Sequence, residues 1–300
     1  MDGSVASHAA THWDEHFTAA PPRMRDWLEL AYVRDRYINP AVTGAPDVDW
    51  FQFVCVHYIA PAARVLEIGC GSDGLSPRLC GRGFARRAVA IDISAEAIRI
   101  SRERIAATDL ADRIEYVCCD VASADFGEAS FDCVIVNMAL HHVLELEQLF
   151  ANIRRWKRPQ AVFVLNEYVG PTRFQWTDAT LREGQRLLDS LDERYRVHGL
   201  SGEVVRTFAR PHYATLVAGD ASEAIRSSAI EPLLATYFEI VDRRPYGGTL
   251  LHWLLADIAF NFDPEHRPED AAVLDRLFAE ERRLLRAGVL ESNFAVIVAR

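Results

Sequence analysis

Three acidic residues, Glu67, Asp92 and Asp120, each lie at the end of an apolar, strand-like run. Between the first two, the segment 69–74 reads Gly-Cys-Gly-Ser-Asp-Gly and has the GxGxxG spacing. Glycines at this spacing allow a tight turn and the close approach of a ligand to the backbone. A carboxylate at the end of the following strand is placed to accept both hydroxyl hydrogens of a ribose. The pattern therefore indicates a site for a nucleoside-containing ligand.

The acid before the glycines narrows the choice of ligand. Glu67 stands two residues ahead of Gly69, where it would repel a pyrophosphate bound at the helix N-terminus, which disfavours a nicotinamide dinucleotide. A carboxylate there suits a cation such as an amino-acid ammonium group. Asp120 can accept from an exocyclic amine while the next backbone N–H donates to a ring nitrogen, the pairing that adenine presents. The three acids thus fit an ammonium group, a ribose and an adenine.

An alternation of strand and helix patterns positions these residues. The sequence predicts seven strands at Arg64–Ile68, Ala88–Asp92, Arg113–Cys119, Phe131–Asn137, Ala161–Leu165, Phe238–Asp242 and Phe294–Val298. It predicts helices over 75–83, 94–105, 144–156, 177–191 and 250–260, and another that opens at Pro268 and ends before Gly288. Alternating elements of this kind are typical of an α/β fold in which helices cover both faces of a parallel sheet.

The runs Glu67-Ile68-Gly69-Cys70-Gly71, Cys119-Asp120-Val121 and Phe131–Asn137, together with Asp92, resemble the class I S-adenosylmethionine-dependent methyltransferases. The resemblance implies a Rossmann-like sheet of seven strands, mostly parallel with an antiparallel last strand, flanked by helices, and S-adenosylmethionine as the cofactor. It implies that the methionine portion is held by Glu67 and the glycine turn, the ribose at Asp92, and the adenine at Asp120. The cofactor-binding residues are then Glu67, Gly69, Cys70, Gly71, Asp92, Ile93, Asp120, Val121 and Asn137.

Methyl transfer from a sulfonium is an in-line displacement that needs alignment and exclusion of water, with a base only for a protonated nucleophile. The segment 137–142 matches the part of the family sequence that lines the reactive end of the cofactor. We expect Asn137, His141 and Tyr168 to be catalytic. His141 and His142 are both candidate bases near neutral pH, and at least one of two adjacent histidines is expected to point away.

The remaining length is expected to cover this site. We assign residues 1–60 to an N-terminal helical arm or lid, residues 61–168 and 237–300 to the cofactor-binding domain, and residues 169–236 to a cap insertion. The arm and the insertion are rich in aromatic residues, which either pack the cap onto the sheet or surround the sulfonium. The substrate-binding candidates are Tyr32, Trp176 and Arg226.

Segments such as 167–178, 221–228 and 244–252 also resemble bacterial methyltransferases of natural-product or surface-glycan assembly. We therefore expect methyl transfer to a small molecule, in bacterial secondary metabolism. One alternative keeps the cofactor but cyclises it to azetidine-2-carboxylate, with release of methylthioadenosine. A non-catalytic, methyltransferase-like subunit is a further alternative, disfavoured because the glycine turn and the strand-end acids are intact.

Composition restricts the partners. The 300 residues carry a formal net charge of -10, and this acidic excess argues against a nucleic-acid target. No apolar run approaches the roughly 20 residues that a membrane-spanning helix requires, and no secretory signal is evident, so we expect a cytoplasmic protein, monomeric or homodimeric. All six cysteines lie between Cys55 and Cys133 without metal-type spacing, and no metal site is predicted.

Overall fold

The computed structural model describes residues 3–18 and 26–300. Residues 1–2 and 19–25, which belong to the predicted arm, lie outside the described residues. In the described part, one seven-stranded sheet has the order β3-β2-β1-β4-β5-β7-β6. The strands are β1 Ala63–Ile68, β2 Ala85–Asp92, β3 Ile114–Cys118, β4 Phe131–Asn137, β5 Lys157–Tyr168, β6 Ile240–Gly247 and β7 Phe294–Ala299.

The first five strands are parallel to one another, and β7 runs antiparallel to both β5 and β6. The predicted Rossmann-like sheet with an antiparallel last strand is therefore confirmed. Because β1 lies beside both β2 and β4, the chain reverses its direction of winding at the carboxyl end of β1, which is where α/β sheets bind ligands.

The helices are α1 Gly3–Thr18, α2 Ala31–Val33, α3 Asn39–Thr43, α4 Trp50–His57, α5 Ser76–Gly81, α6 Ala95–Ile105, α7 Leu146–Trp156, α8 Asp178–Asp189, α9 Tyr213–Gly219, α10 Ile230–Tyr237, α11 Leu251–Leu254 and α12 Pro268–Arg286. Ser94 caps α6 by accepting a hydrogen bond from the Ala97 backbone N–H at 3.0 Å, as its sequence position predicts. Thr177 caps α8 in the same way, through the Thr180 N–H at 3.1 Å. Among the described residues, no helix combines the length and the apolar character needed to cross a bilayer.

Two predictions of local structure were wrong. The sixth strand was expected at Phe238–Asp242, but β6 runs over Ile240–Gly247, because its pairing with β7 extends to the Gly247 backbone opposite Phe294. The helix expected over 250–260 is confined to Leu251–Leu254. Its apolar periodicity continues further, yet Asp257 has a positive φ of 56°, which a continuous right-handed helix does not permit.

Apolar side chains cover both faces of the sheet. On one face, Leu66, Val134 and Phe163 pack against α7 and α10. On the other, Val65, Cys133 and Val164 belong to a larger core that includes α4, α8 and α12. Cys133 is fully buried, and burial raises the pKa of its thiol, so it behaves as a small apolar residue. This double burial fixes the strand register and therefore the position of every residue at the carboxyl ends of the strands.

Candidate active site

A cavity of about 550 Å³ lies at the carboxyl ends of β1, β2 and β4. Its lining includes all nine residues that the sequence assigns to the cofactor, namely Glu67, Gly69, Cys70, Gly71, Asp92, Ile93, Asp120, Val121 and Asn137. The volume suits a single nucleoside-sized ligand with space beside it. The strand order thus brings residues from four separate segments to one site.

Asp92 and Asp120, the acids assigned to the ribose and the adenine, accept hydrogen bonds from backbone N–H groups. These N–H groups follow the acid closely in the sequence or lie in the glycine turn. Asp92 accepts from Gly71 N–H at 2.8 Å with one oxygen and from Ser94 N–H at 2.9 Å with the other. Asp120 accepts from Ala122 N–H at 2.9 Å. These bonds fix the carboxylates in place before any ligand arrives. Burial of Asp92 raises the pKa of its carboxyl group, although these N–H groups oppose the shift.

Glu67 is almost fully buried and is bound by its own chain. Its carboxylate accepts from the backbone N–H groups of Leu75 and Ser76, and from the Ser76 hydroxyl, over 2.5–2.8 Å. Burial raises the pKa of Glu67, while these bonds oppose the shift. Glu67 therefore ties the glycine turn to the start of α5 and also lines the cavity.

Gly69 is required by the close approach of the turn to the segment after β4. Its φ is +70°, and a Cβ atom built there would lie only 2.3 Å from the Ala139 Cβ. The neighbouring Met138 also has a positive φ, of 53°, directly after Asn137. Strained backbone of this kind at a cavity wall is typical of functional sites. Any larger residue at position 69 would push this wall away from the glycine turn.

Residues of helix α1 line the cavity on the side away from the sheet. Trp13 and Phe17 line the cavity, and the Trp13 ring contacts His142 edge-on with a centroid separation of 5.2 Å. Asp14 fixes the helix by accepting from the Ser94 hydroxyl at 2.6 Å and from Glu96 N–H at 3.0 Å. The aromatic rings nearest the cofactor site thus come from the arm.

The two adjacent histidines occupy different environments. His142 lines the cavity, whereas the described lining does not include His141, which lies buried behind it. The His141 Nδ1 atom lies 2.5 Å from a Glu167 oxygen. Burial opposes protonation of the His141 ring, but the Glu167 carboxylate outweighs this effect and raises the pKa of His141 to about 9.

Glu167 organises the wall between β4 and the cavity. Its carboxylate also accepts from the backbone N–H groups of Ala139, Leu140 and Tyr168, over 2.7–3.0 Å. It therefore fixes the strained turn at Met138 as well as the His141 ring. Glu167 lies at the end of β5, and its partners other than Tyr168 are 26–28 residues away in the sequence.

The segment 169–236, for which the sequence predicts a cap, contributes two further acids. Asp220 and Glu223 lie beside the histidines, and the His142 Nδ1 atom is 3.1 Å from the Ser222 hydroxyl and 3.4 Å from an Asp220 oxygen. Both imidazole Nε2 atoms face the Glu223 carboxylate, at 3.7 Å for His141 and 4.0 Å for His142. We call His141, His142, Glu167, Asp220 and Glu223 the histidine–carboxylate cluster.

The cap is held against the sheet at this point by Arg173 and by backbone bonds. The buried Arg173 guanidinium donates to the Ala221 and Glu223 carbonyl oxygens at 2.7 and 2.8 Å. The Ile225 N–H donates to the His141 carbonyl oxygen at 3.0 Å. Sequence reasoning missed Arg173, Asp220 and Glu223, because their partners are distant in the chain.

The other predicted site residues lie elsewhere. The Tyr168 hydroxyl donates to the Pro171 carbonyl oxygen at 3.0 Å, and Trp176 is buried in the core. Arg226 pairs with both oxygens of Glu147 at 2.6 Å, and Tyr32 donates to Asp275 at 3.1 Å. The described lining of the cavity includes none of these four side chains. Asn137 does line it and accepts a hydrogen bond from the Asn166 amide at 2.8 Å.

The sheet order, the glycine turn and the acids at the strand ends define a class I S-adenosylmethionine-dependent methyltransferase. Its cofactor is S-adenosylmethionine. The family described as a methyltransferase domain matches residues 66–165.

Two curated relatives illustrate the similarity. The 27-O-demethylrifamycin SV methyltransferase of Amycolatopsis mediterranei is 27% identical over 190 residues, which are 59% of this chain and 68% of the relative. The demethylmenaquinone methyltransferase of Clavibacter sepedonicus is 30% identical over 150 residues, 49% of this chain and 58% of the relative. The second alignment spans less than two thirds of the relative.

Solved structures share the fold along nearly the whole chain. Geranyl diphosphate C-methyltransferase from Streptomyces coelicolor A3(2), solved with Mg²⁺, geranyl diphosphate and S-adenosyl-L-homocysteine, has a TM-score of 0.55 at 12% identity, with 98% of this chain and 97% of that chain covered. The [4+2]-cyclase SpnF has a TM-score of 0.51 at 15% identity, with 98% and 93% covered. At these identities the likeness concerns the fold alone.

Proposed function

We propose that this protein transfers the methyl group of S-adenosylmethionine to a small, uncharged acceptor in bacterial secondary metabolism. The observation that carries the proposal is that the cavity under α1 joins the three strand-end acids to Asn137 and His142. In this arrangement Glu67 and the glycine turn hold the methionine portion, Asp92 the ribose, and Asp120 with Val121 the adenine. The sulfonium then lies toward Asn137, and the acceptor lies beyond it, near His142.

The charge of the cavity supports an uncharged acceptor. The described lining contains several acids, including Asp73 and Glu145, but no lysine or arginine. A phosphate or carboxylate on the acceptor would meet no lysine or arginine of the described lining, and its desolvation would be costly. The rifamycin relative supports the placement in secondary metabolism, since its name describes methylation of a natural product.

The chemistry needs alignment more than acid–base groups. With α1 over the cavity and the cofactor fixed from below, an acceptor atom held near His142 would approach the methyl group from the side opposite the sulfur. Such alignment contributes on the order of several kcal/mol to catalysis. The cover also excludes water, which would compete with the acceptor for the methyl group.

Calorimetric titration with S-adenosylmethionine tests the placement of the cofactor. Asp92→Asn is expected to weaken cofactor binding about 10-fold or more, because it replaces a charged carboxylate that accepts hydrogen bonds with a neutral amide. Asp125→Asn is the matched control, since Asp125 is an exposed acid outside the cavity. Equal affinities of the two variants would contradict the proposed ribose site.

Product analysis tests the reaction itself. The protein is incubated with S-adenosylmethionine and a panel of hydroxyl- and amine-bearing natural products, and the nucleoside products are separated by chromatography. Acceptor-dependent release of S-adenosylhomocysteine is expected. Release of methylthioadenosine without an acceptor would overturn methyl transfer and would instead support cyclisation of the cofactor.

A further inference from the structure

We propose that His141, His142 and Glu223 bind one divalent transition-metal ion, of the class of Zn²⁺, at the acceptor end of the cavity, where it holds an acceptor oxygen. One imidazole nitrogen from each histidine and one oxygen of Glu223 lie within 4.8 Å of one another. Two imidazoles and a carboxylate form a ligand set that suits zinc and similar first-row metals. This proposal departs from the sequence expectation of no metal site, which rested on cysteine and histidine spacing.

The distances from the two imidazole Nε2 atoms to the Glu223 oxygens fit bridging by a metal ion better than direct hydrogen bonding. The two Nε2 atoms lie 3.7 and 4.0 Å from the Glu223 oxygens, too far for a hydrogen bond. Metal–nitrogen and metal–oxygen bonds of about 2.0–2.2 Å each would span these separations. The three side chains are therefore close enough to share one ion with small rotations.

The Nδ1 atom of each imidazole already has a contact that orients the ring. The His141 Nδ1 atom contacts Glu167, and the His142 Nδ1 atom contacts Ser222 and Asp220. A carboxylate behind a metal-binding histidine accepts from Nδ1–H, so that Nε2 becomes the metal ligand once the ion displaces any proton it carries. Both histidines have such a partner, and both direct Nε2 at the same third carboxylate.

The charges of the cluster also favour a cation. Three carboxylates meet here, of which Glu167 and Asp220 are buried and Glu223 is partly exposed. The Asp220 oxygen that lies 3.4 Å from the His142 Nδ1 atom is buried and makes no hydrogen bond of normal geometry. The described ion-pair partners of these carboxylates are histidines, and the Arg173 guanidinium is directed at the backbone carbonyl oxygens of Ala221 and Glu223. A divalent ion would offset this acidic excess at the point where three segments of the chain meet.

The role in methyl transfer rests on the proposed function. His142 lines the cavity, and the Glu223 side chain is 25% exposed, so an ion here would keep positions open toward an acceptor. A hydroxyl oxygen bound to the metal loses its proton to water more readily. That oxygen then forms the new C–O bond while the methyl C–S bond breaks, and the electron pair remains on sulfur in S-adenosylhomocysteine.

Metal binding is measured on the full chain after treatment with a chelator, by calorimetric titration with Zn²⁺. One ion per chain is expected. His142→Gln and Glu223→Gln should each weaken binding roughly 100-fold or more, and Glu167→Gln about 10- to 100-fold, through the orientation of His141. The exposed His266 and Glu128 provide the matched controls His266→Gln and Glu128→Gln, which should bind as the wild type does.

Absence of Zn²⁺ binding, or equal affinity in His142→Gln, Glu223→Gln and the controls, would overturn the site. Circular dichroism and the affinity of Glu223→Gln for S-adenosylmethionine show whether the variant is folded. Neither the metal titration nor this control requires an acceptor. A failure of the metal site can therefore be distinguished from a failure of the proposed methyl transfer.

Replacement of Zn²⁺ by Co²⁺ tests the open coordination positions. Acetohydroxamate, a small ligand with two oxygen donors, is expected to shift the visible absorption of the bound Co²⁺. An unchanged spectrum would mean that the ion is fully coordinated by protein, which would overturn its role in holding an acceptor.

Discussion

Two buried regions meet at Tyr168, and each contains a histidine. On one side is the histidine–carboxylate cluster, where His141 lies 6.3 Å from the Tyr168 ring. On the other is an aromatic cluster formed by Trp27, Tyr168, Phe174, Trp176, His252, Trp253 and Phe294. The cluster with carboxylates adjoins the cavity, and the aromatic one forms part of the core.

The two histidines show what these surroundings do to the same side chain. Burial lowers the pKa of His252 to about 4, and its Nδ1 atom has no hydrogen-bond partner among the described residues. His141 is buried as well, yet Glu167 raises its pKa to about 9. Neighbouring carboxylates, and not burial alone, therefore decide whether a histidine in the interior keeps its proton at neutral pH.

The largest expected effect comes from removing Glu167. Glu167→Ala leaves His141 and the backbone N–H groups of Ala139 and Leu140 without their acceptor, and we expect a loss of about 3–5 kcal/mol in the free energy of unfolding. Formation of S-adenosylhomocysteine should fall as well, because the turn at Met138 is released. Urea denaturation and a product assay measure the two effects.

The control for this prediction is Glu128→Gln, an exposed acid that contributes nothing to the cluster. Cofactor affinity of the folded Glu167→Ala protein should change little, since Glu167 does not belong to the described lining of the cavity. Full activity and full stability of Glu167→Ala would contradict the organising role that we assign to this residue.

Trp176→Ala tests the opposite region. Trp176 is 1% exposed and packs against Trp253 at a ring separation of 5.1 Å. Its truncation should cost about 3 kcal/mol or slightly more through the cavity that it leaves. Product formation per folded molecule should not change, and Trp176→Phe should recover most of the stability. A specific loss of acceptor turnover in either variant would return Trp176 to the substrate-binding role predicted from the sequence.

Trp176 and the strand-end acids differ in how well the sequence predicts their place in the structure. Glu67, Asp92 and Asp120 were predictable as members of one site, because each ends a strand and the parallel order brings strand ends together. Their backbone partners are close by in the chain or in the glycine turn. Aromatic content alone could not separate the rings that line the cavity, Trp13 and Phe17, from those that pack the core.

The acceptor end was less predictable for a topological reason. His142 and Ser222 are separated by 80 residues, and Arg173 is 50 residues from the Glu223 carbonyl oxygen that it binds. No local periodicity records such contacts, since they depend on how the cap folds back onto β4 and β5. Which of the two adjacent histidines faces the cavity is likewise decided by the strained turn at Met138.

The pH dependence of stability sharpens the contrast between the two histidines. In the unfolded chain His252 takes up a proton near pH 6.5, whereas in the folded protein its pKa is about 4. The neutral His252 ring therefore makes its full contribution to the free energy of unfolding above pH 6.5. As the pH falls toward 4, that free energy decreases by at most about 3 kcal/mol. Urea denaturation between pH 8 and pH 4.5 should show a shallower acid loss in His252→Phe than in the wild type or in His266→Gln. Identical pH profiles would mean that His252 is hydrated in the folded protein.

The smallest effect is expected for Tyr168→Phe, at the border of the two regions. The hydroxyl donates one hydrogen bond to the Pro171 carbonyl oxygen, so its loss should cost about 1 kcal/mol of stability. The ring, which contacts Phe174 and Phe294, remains in place. Because the hydroxyl points into the cap and the described cavity lining does not include it, the rate of product formation should be unchanged. The control is Tyr32→Phe, which removes a tyrosine hydroxyl that binds Asp275 outside the cavity. A marked fall in that rate for Tyr168→Phe alone would show that the tyrosine acts on the acceptor. Tyr168 would then belong functionally with the histidine–carboxylate cluster and not with the aromatic cluster.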